Sequence, residues 1–372
     1  MNFIAKTMFA ALAAATVLVA SAYDSTDPRS HIGNPALDSS LLPAECQKYV
    51  DDVGEKAVTD FGQGILEGAC GLFGYGAEDY SEEPPPNPLY PAPMEKGALY
   101  FGGTDWGRFI PETLVLNDGV RPDVSVVTQN GLADSKYLSA IRDRLGDRVA
   151  IPSEEELTDA FREFVEGVQS GRIDARDALE IKDGRATITG ALAVMKINEI
   201  LAKKIFDANK GKHAMYVEES YAIDWMYDYM TPHGLVMKLN ADKPGAVSNE
   251  EVRDNYEFWD WMTKRLFSNP QFANRRAEPW RKAADGNRDP DHRMGVRAFS
   301  KLRLAHAKLY ASQGKNSAAF ATAIRQAIAI DPQNLETAVH YVAFLKANKL
   351  DAAREEFLGC LKKHGVDTDR LR

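Results

Sequence analysis

A glycine-rich turn holds the residues best suited to contact a ligand. Gly102, Gly103, Thr104 and Asp105 follow one apolar run and precede an amphipathic segment. Glycine lets a backbone approach a ligand closely, and Thr104 or Asp105 could cap the next helix, whose free amides suit an anion. The pattern is not GxGxxG, no lysine follows at the P-loop position, and Asp105 would repel a phosphate. The turn therefore favours a sugar hydroxyl or a structural cap over a phosphate.

More polar residues surround this turn. Arg108 and Arg121 are the nearest cations, and the next apolar run ends at Gln129 and Asn130. In open α/β sheets, ligands bind beyond the carboxyl ends of the strands. We therefore expect Gln129 and Asn130 to lie beside Gly102–Asp105 and to form one binding rim with them.

A third polar segment joins carboxylates to aromatic rings. Glu218 and Glu219 end an apolar run and precede Trp225, Tyr227 and Tyr229. Rings that stack on sugars and acids that bind hydroxyls would suit a carbohydrate, and paired carboxylates could act as the acid and base of a glycosidase. Capping acids and core aromatics account for the same pattern, and this interpretation is favoured. No GxSxG or Cys/His cluster is present, so the sequence predicts no catalytic residue, metal or cofactor.

Alternating strand and helix patterns position these candidates. Candidate strands cover residues 98–101, 124–128, 148–151, 179–181, 214–218 and 235–239. Candidate helices cover residues 108–116, 134–145, 153–170, 190–209 and 223–230. This alternation predicts an α/β domain over residues 97–246, Rossmann-like, with a mostly parallel sheet.

The strand pattern stops near residue 246, and the last section repeats. With a period near 34 residues, Tyr310 aligns with Phe344 and Ala319 with Ala353. We expect residues 247–372 to form an all-α array with about two tetratricopeptide-like repeats. Its concave face could bind a protein partner, or the array could only cap the α/β domain.

The N-terminal residues predict export. Lys6 precedes an apolar run that is too short to span a membrane, and Ala20-Ser21-Ala22 suits a signal peptidase, so residues 1–22 are a signal peptide. We expect a soluble mature protein in the periplasm or outside the cell. There, Cys46 and Cys70 could form a disulfide, although buried free thiols are equally compatible.

The net charge of the chain limits the classes of partner that it could bind. The formal net charge of −9 disfavours nucleic acids and anionic membrane surfaces.

Residues 23–96 are predicted to form an N-terminal segment, with a helix over 44–71 and a proline-rich linker over 81–93.

The chain also resembles a known family. Segments 99–147 and 214–240, together with the repeats, resemble the extracytoplasmic C-terminal domain of multi-pass membrane proteins related to protein O-mannosyltransferases, a bacterial domain of unknown function. Gly102–Asp105 and Val120-Arg121-Pro122-Asp123-Val124 carry this resemblance, which covers residue 97 to the C-terminus. It implies an α/β domain followed by helical repeats. The family's transmembrane half, expected to hold the catalytic site, has no counterpart here, so no catalytic residue carries over.

The sequence thus predicts an exported, non-catalytic binding or accessory protein of the cell envelope, beside a membrane protein, that recognises a glycan or a protein. Two alternatives stay open. One is a carbohydrate-active enzyme that uses the strand-end rim, and the other is a structural protein that oligomerises through its helical repeats.

Overall fold

A computed structural model describes residues 61–69, 86–103, 105–116, 119–182, 185–218, 223–268, 294–313, 317–331, 334–363 and 366–371. The predicted signal peptide and the Cys46–Cys70 pair lie outside these residues. The chain divides into two compact units: of the described residues, 127–212 belong to the first unit and all others to the second. The boundary predicted at residues 246–247 falls inside the second unit.

The strands are short. They are β1 (Leu99–Gly102), β2 (Ser125–Thr128), β3 (Leu179–Lys182), β4 (Arg185–Ile188), β5 (Met215–Val217), β6 (Met230–His233) and β7 (Val236–Leu239). Within the described residues they form a five-stranded sheet in the order β2-β1-β5-β7-β6 and a separate two-stranded sheet of β3 and β4.

The larger sheet is mixed, and the prediction of a mostly parallel sheet is wrong. β1 and β5 are parallel, with Leu99 opposite Met215, whereas β7 is antiparallel to both β5 and β6. Only two residues connect β6 to β7, and a connection this short joins only antiparallel strands. The sequence pattern did not indicate β6, which contains Pro232 and lies at the sheet edge, where proline is tolerated.

The helices are α1 (Asp105–Leu116), α2 (Ser135–Leu145), α3 (Glu154–Gln169), α4 (Ala191–Asn209), α5 (Asp224–Tyr227), α6 (Asn249–Ser268), α7 (Met294–Ser312), α8 (Ser317–Ile330), α9 (Leu335–Ala347) and α10 (Asp351–Lys363). Residues 61–69 are also helical. The chain is therefore a mixed α/β protein, as predicted, and its C-terminal section is helical.

The core of the second unit joins the sheet to helices on either side of it in the sequence. β1 and β5 are buried along their whole length, as strands covered on both faces are. One apolar cluster includes residues from the 61–69 helix, β1, α1, α6 and α7, among them Phe61, Tyr100, Ile110, Trp259 and Phe299. Among the C-terminal helices, α7 packs on α8, α8 on α9, and α9 on α10.

The described part of the proline-rich segment is packed rather than a free spacer. Ala69 N–H donates to the Pro91 carbonyl over 2.8 Å, and Met94 N–H donates to the Leu66 carbonyl over 3.1 Å. The hydroxyl of the half-buried Tyr90 accepts from Asn255 Nδ2 over 3.0 Å. This segment therefore packs on the second unit through Tyr90, Pro91 and Met94, while Leu89 is exposed.

The first unit holds α2, α3, α4 and the β3–β4 hairpin. The strand predicted at residues 148–151 is absent there, because the side-chain amide of Asn209 takes the place of a neighbouring strand. Its Nδ2 donates to the Ala150 carbonyl over 2.8 Å, and its Oδ1 accepts from Ala150 N–H over 2.9 Å. The predicted start of α3 is confirmed by a capping box between Ser153 and Glu156.

Candidate functional site

The glycine turn after β1 contacts a buried acid from β5. Gly103 N–H donates to Glu218 Oε2 over 3.1 Å, and Glu218 is only 2% exposed. Glu218 N–H in turn donates to the Phe101 carbonyl over 2.9 Å, which extends the β1–β5 pairing by one residue. Backbone pairing therefore fixes where this carboxylate lies.

The first turn of α1 leaves room for the same carboxylate. A Cβ atom built at Gly107 would lie 1.6 Å from Glu218 Oε2, so only glycine fits there. The Tyr100 hydroxyl donates to the Gly107 carbonyl over 2.6 Å. Burial, with the nearby Glu218 charge, raises the pKa of Tyr100 well above its ordinary value. The positive end of the helix dipole favours an anion at this place, and Glu218 supplies one.

This corner lies where open α/β sheets bind ligands. β1 has β2 on one side and β5 on the other, so the chain returns past β1 after leaving β2. The crevice beyond the carboxyl ends of such neighbouring strands is the usual ligand position. Here the chain's own Glu218 carboxylate contacts Gly103 and Gly107, as a bound anion would. Tyr100 and Gly107 were not predicted as site residues, although the third glycine in "GGTDWG" is a signal for a close backbone approach.

The side chain of Arg121 forms hydrogen bonds with two separate segments of the chain. Its Nε and Nη2 donate to the two carboxylate oxygens of Asp123 over 2.9 and 2.8 Å, and Nη1 donates to the Leu66 carbonyl over 3.1 Å. Asp123 also accepts from Gly97 N–H over 2.9 Å. The hydrogen bonds from Arg121 lower the pKa of Asp123 far below its usual range. Arg121 therefore joins the 61–69 helix to the start of β2, which is a structural role.

Gln129 and Asn130 are in the first unit, and Gln129 is fully buried. The Asn130 carbonyl accepts from Asn198 Nδ2 over 3.0 Å, and Asn198 Oδ1 accepts from Ala133 N–H over 2.7 Å. The amide of Asn198 therefore holds the turn after β2. Gly102, Gly103 and Glu218 belong to the second unit, so the shared rim stays a prediction.

The structure does not describe the side chains of four other predicted site residues. Thr104 and Glu219 lie outside the described residues, and Asp105 and Arg108 lie in α1 with side chains that the structure does not describe. In the described part of the chain, no group of three or more His, Cys, Asp or Glu residues could hold a metal ion. No helix among those residues is long and apolar enough to cross a membrane.

Helix α9 presents an apolar surface that was not predicted from the sequence. Leu335 and Val339 lie one turn apart on this helix, and each is 49% exposed. Beside them, Glu336 accepts from Lys308 Nζ of α7 over 2.9 Å. The adjoining stripe of α9 is buried through Ala338, Val342 and Leu345. Spacing alone does not reveal the exposed pair, because Leu335 and Val339 share the apolar stripe of the buried Val342.

Comparison of the chain with protein-family models, with curated proteins and with solved structures found no match, so the function is inferred from the residues themselves.

Proposed function

We propose that this chain is an exported binding or accessory protein of the cell envelope, without catalytic activity, that recognises a protein partner through its C-terminal helices. One observation carries the proposal: Leu335 and Val339 are each about half exposed on neighbouring turns of α9. Exposed apolar side chains that adjoin one another, rimmed by charged residues such as Lys308 and Glu336, suit contact with another protein better than contact with water.

The packing of the C-terminal helices supports a tetratricopeptide-like array. Each of α7 to α10 packs on the helix next to it in the sequence, which is how repeat arrays are built. Small residues lie where α8 is buried, with Ala323 and Ala327 fully inaccessible. Ser300 Oγ of α7 donates to the Ala327 carbonyl of α8 over 2.9 Å. Such arrays present extended surfaces to partners, and α9 would contribute to one.

The strand-end residues argue against chemistry at the glycine corner. Glu218 accepts from the Gly103 backbone, Arg121 pairs with Asp123, and Asn198 holds the turn that contains Asn130. These polar groups hold the backbone in place, as expected of residues that stabilise a fold. Recognition of a glycan at this corner has less support than recognition of a protein by α9.

The family resemblance and the predicted signal peptide support the proposed location in the cell envelope. The two motifs that carry the resemblance lie in one β1–α1–β2 segment, with Gly102 and Gly103 at the end of β1 and Arg121 and Asp123 just before β2. The parallel β1–β5 pair is compatible with a Rossmann-like arrangement of this part of the sheet.

Photo-crosslinking in cells tests the proposal. A photoreactive phenylalanine derivative replaces Val339, and in a control chain it replaces Glu356, which is exposed on α10. We expect a discrete crosslinked protein from position 339 and none from position 356. Equal crosslinking at both positions, or none at position 339, contradicts recognition through α9.

A further inference from the structure

The β3–β4 hairpin of the first unit leaves one side of β3 open. In the described residues, β3 pairs only with β4, and three of its four residues are exposed. Ile181, at the centre of this exposed run, is 48% exposed. Neither Glu180 nor Lys182 forms an ion pair within the described part of the chain. An isolated two-stranded hairpin is marginal in water, and an open edge is a template for another strand.

The register fixes which backbone groups face the open side. Thr189 N–H donates to the Ala178 carbonyl over 2.9 Å, one step beyond the pairing of Leu179 with Ile188. In an antiparallel ladder, hydrogen-bonded and non-hydrogen-bonded pairs alternate. The backbone groups of residues 178, 180 and 182 therefore face β4. Those of Ile181 point to the open side, free to pair with a further strand.

The sequence of β3 is complementary to itself. In an antiparallel pairing of two β3 strands centred on Ile181, that residue lies opposite its own copy. Glu180 then lies opposite Lys182 of the second copy, and Lys182 lies opposite the second Glu180. Opposite charges placed across a strand pair are stabilising, and like charges are destabilising.

We propose that β3 pairs antiparallel with β3 of a second copy of this chain, so that two hairpins form one four-stranded sheet about a two-fold axis at Ile181. The two Ile181 residues exchange N–H to carbonyl hydrogen bonds, because their free backbone groups face the open side. A two-fold axis makes both Glu180–Lys182 contacts equivalent, as in other closed symmetric dimers. The contact is small, so the dimer forms in a concentration-dependent way.

Charge reversal tests this dimer. Sedimentation velocity follows the mass of the mature chain up to about 1 mM. We expect E180K and K182E, each alone, to weaken association about tenfold, because each variant puts two pairs of like charges opposite each other. The double variant E180K/K182E restores both opposite-charge pairs and associates like the unchanged chain. Thermal melting and circular dichroism check that each variant is folded.

Mixing the single variants gives the sharpest outcome. One E180K chain and one K182E chain place Lys opposite Glu at both positions, so an equimolar mixture should associate more tightly than either variant alone. The proposal is overturned if the unchanged chain stays monomeric up to about 1 mM. It is equally overturned if the single variants associate normally, or if neither the double variant nor the mixture recovers.

Discussion

The glycine corner of the second unit and helix α9 reverse the usual distribution of polar and apolar side chains. At the corner a carboxylate, Glu218, is 2% exposed, whereas on α9 the apolar Leu335 is 49% exposed. The buried acid has backbone partners in the same unit, whereas the exposed leucine gains nothing from water. Polar residues at a strand end therefore do not by themselves mark a ligand site. The exposed Leu335 and Val339 are a better indication of a protein-binding surface than the polar residues at the strand end.

Two glycines in helices give the strongest test of this contrast. Gly107→Ala in α1 would place a methyl group 1.6 Å from Glu218 Oε2, so a buried carboxylate must move. We expect the free energy of unfolding to fall by about 4 kcal/mol, since overpacking and a broken buried contact act together. Urea denaturation measures the loss.

Gly359→Ala in α10 is the matched control. No atom lies within 4 Å of the added methyl group, so the alanine should raise stability by about 0.5–1 kcal/mol through helix propensity. Similar effects at both glycines would show that the corner is not closely packed around Glu218.

Removing the buried acid tests the same corner from the other side. Glu218→Ala leaves the Gly103 N–H without this acceptor and opens a cavity, so we expect a loss of about 3 kcal/mol. Glu218→Gln keeps the shape and one acceptor oxygen, and should cost about half as much. Chemical denaturation measures the free energy of unfolding of both variants. If the two cost the same, the hydrogen bond to Gly103 contributes nothing.

Buried histidines of the second unit predict sensitivity to acid. Burial lowers the pKa of His233 to about 4, and burial with the neighbouring Arg303 charge lowers that of His306 to about 3. Both values lie below the ordinary value near 6.5, so on acidification the unfolded chain binds protons first. The full free energy of unfolding is therefore present above about pH 6.5. At pH 5, protonation of each histidine in the unfolded chain lowers the free energy of unfolding by about 2 kcal/mol.

Thermal melting between pH 8 and pH 4 measures this loss. His306→Gln should melt lower at pH 7, because a buried ring is lost, but its stability should depend less steeply on pH. An unchanged slope in that variant would exclude His306 as a source of the acid sensitivity.

The sequence predicted the parts of the fold that depend on local patterns. The β1–α1–β2 segment follows from alternating apolar runs, and the start of α3 follows from Ser153 and Glu156. The antiparallel pairing of β6 with β7 was not predicted, because Pro232 conceals β6 and only two residues connect the strands. The false strand at 148–151 reflects an apolar stretch whose backbone partner is the side chain of Asn209, distant in the sequence.

The candidate site was predictable in its residues but not in their roles. Gly103 and Glu218 were both singled out, yet they are 115 positions apart, and only the parallel β1–β5 pairing brings them into contact. Arg121 and Asp123 were identified from a motif, which does not show that they pair with each other. The exposed face of α9 was missed, since exposure depends on which side of the helix packs against α8 and α10.

Substitutions on α9 should have the smallest effect on stability. Leu335→Ser and Val339→Ser change half-exposed side chains, so each should alter the free energy of unfolding by no more than about 0.5 kcal/mol. Val342→Ser changes a buried residue of the same helix and should cost about 2–3 kcal/mol, because it places a hydroxyl in the core. All three variants lie on one helix, and Val339→Ser and Val342→Ser make the same replacement and differ only in burial. Thermal melting compares their stabilities. A large loss at Leu335 or Val339 would mean that these side chains contribute to folding, and α9 would then offer no free surface for a partner.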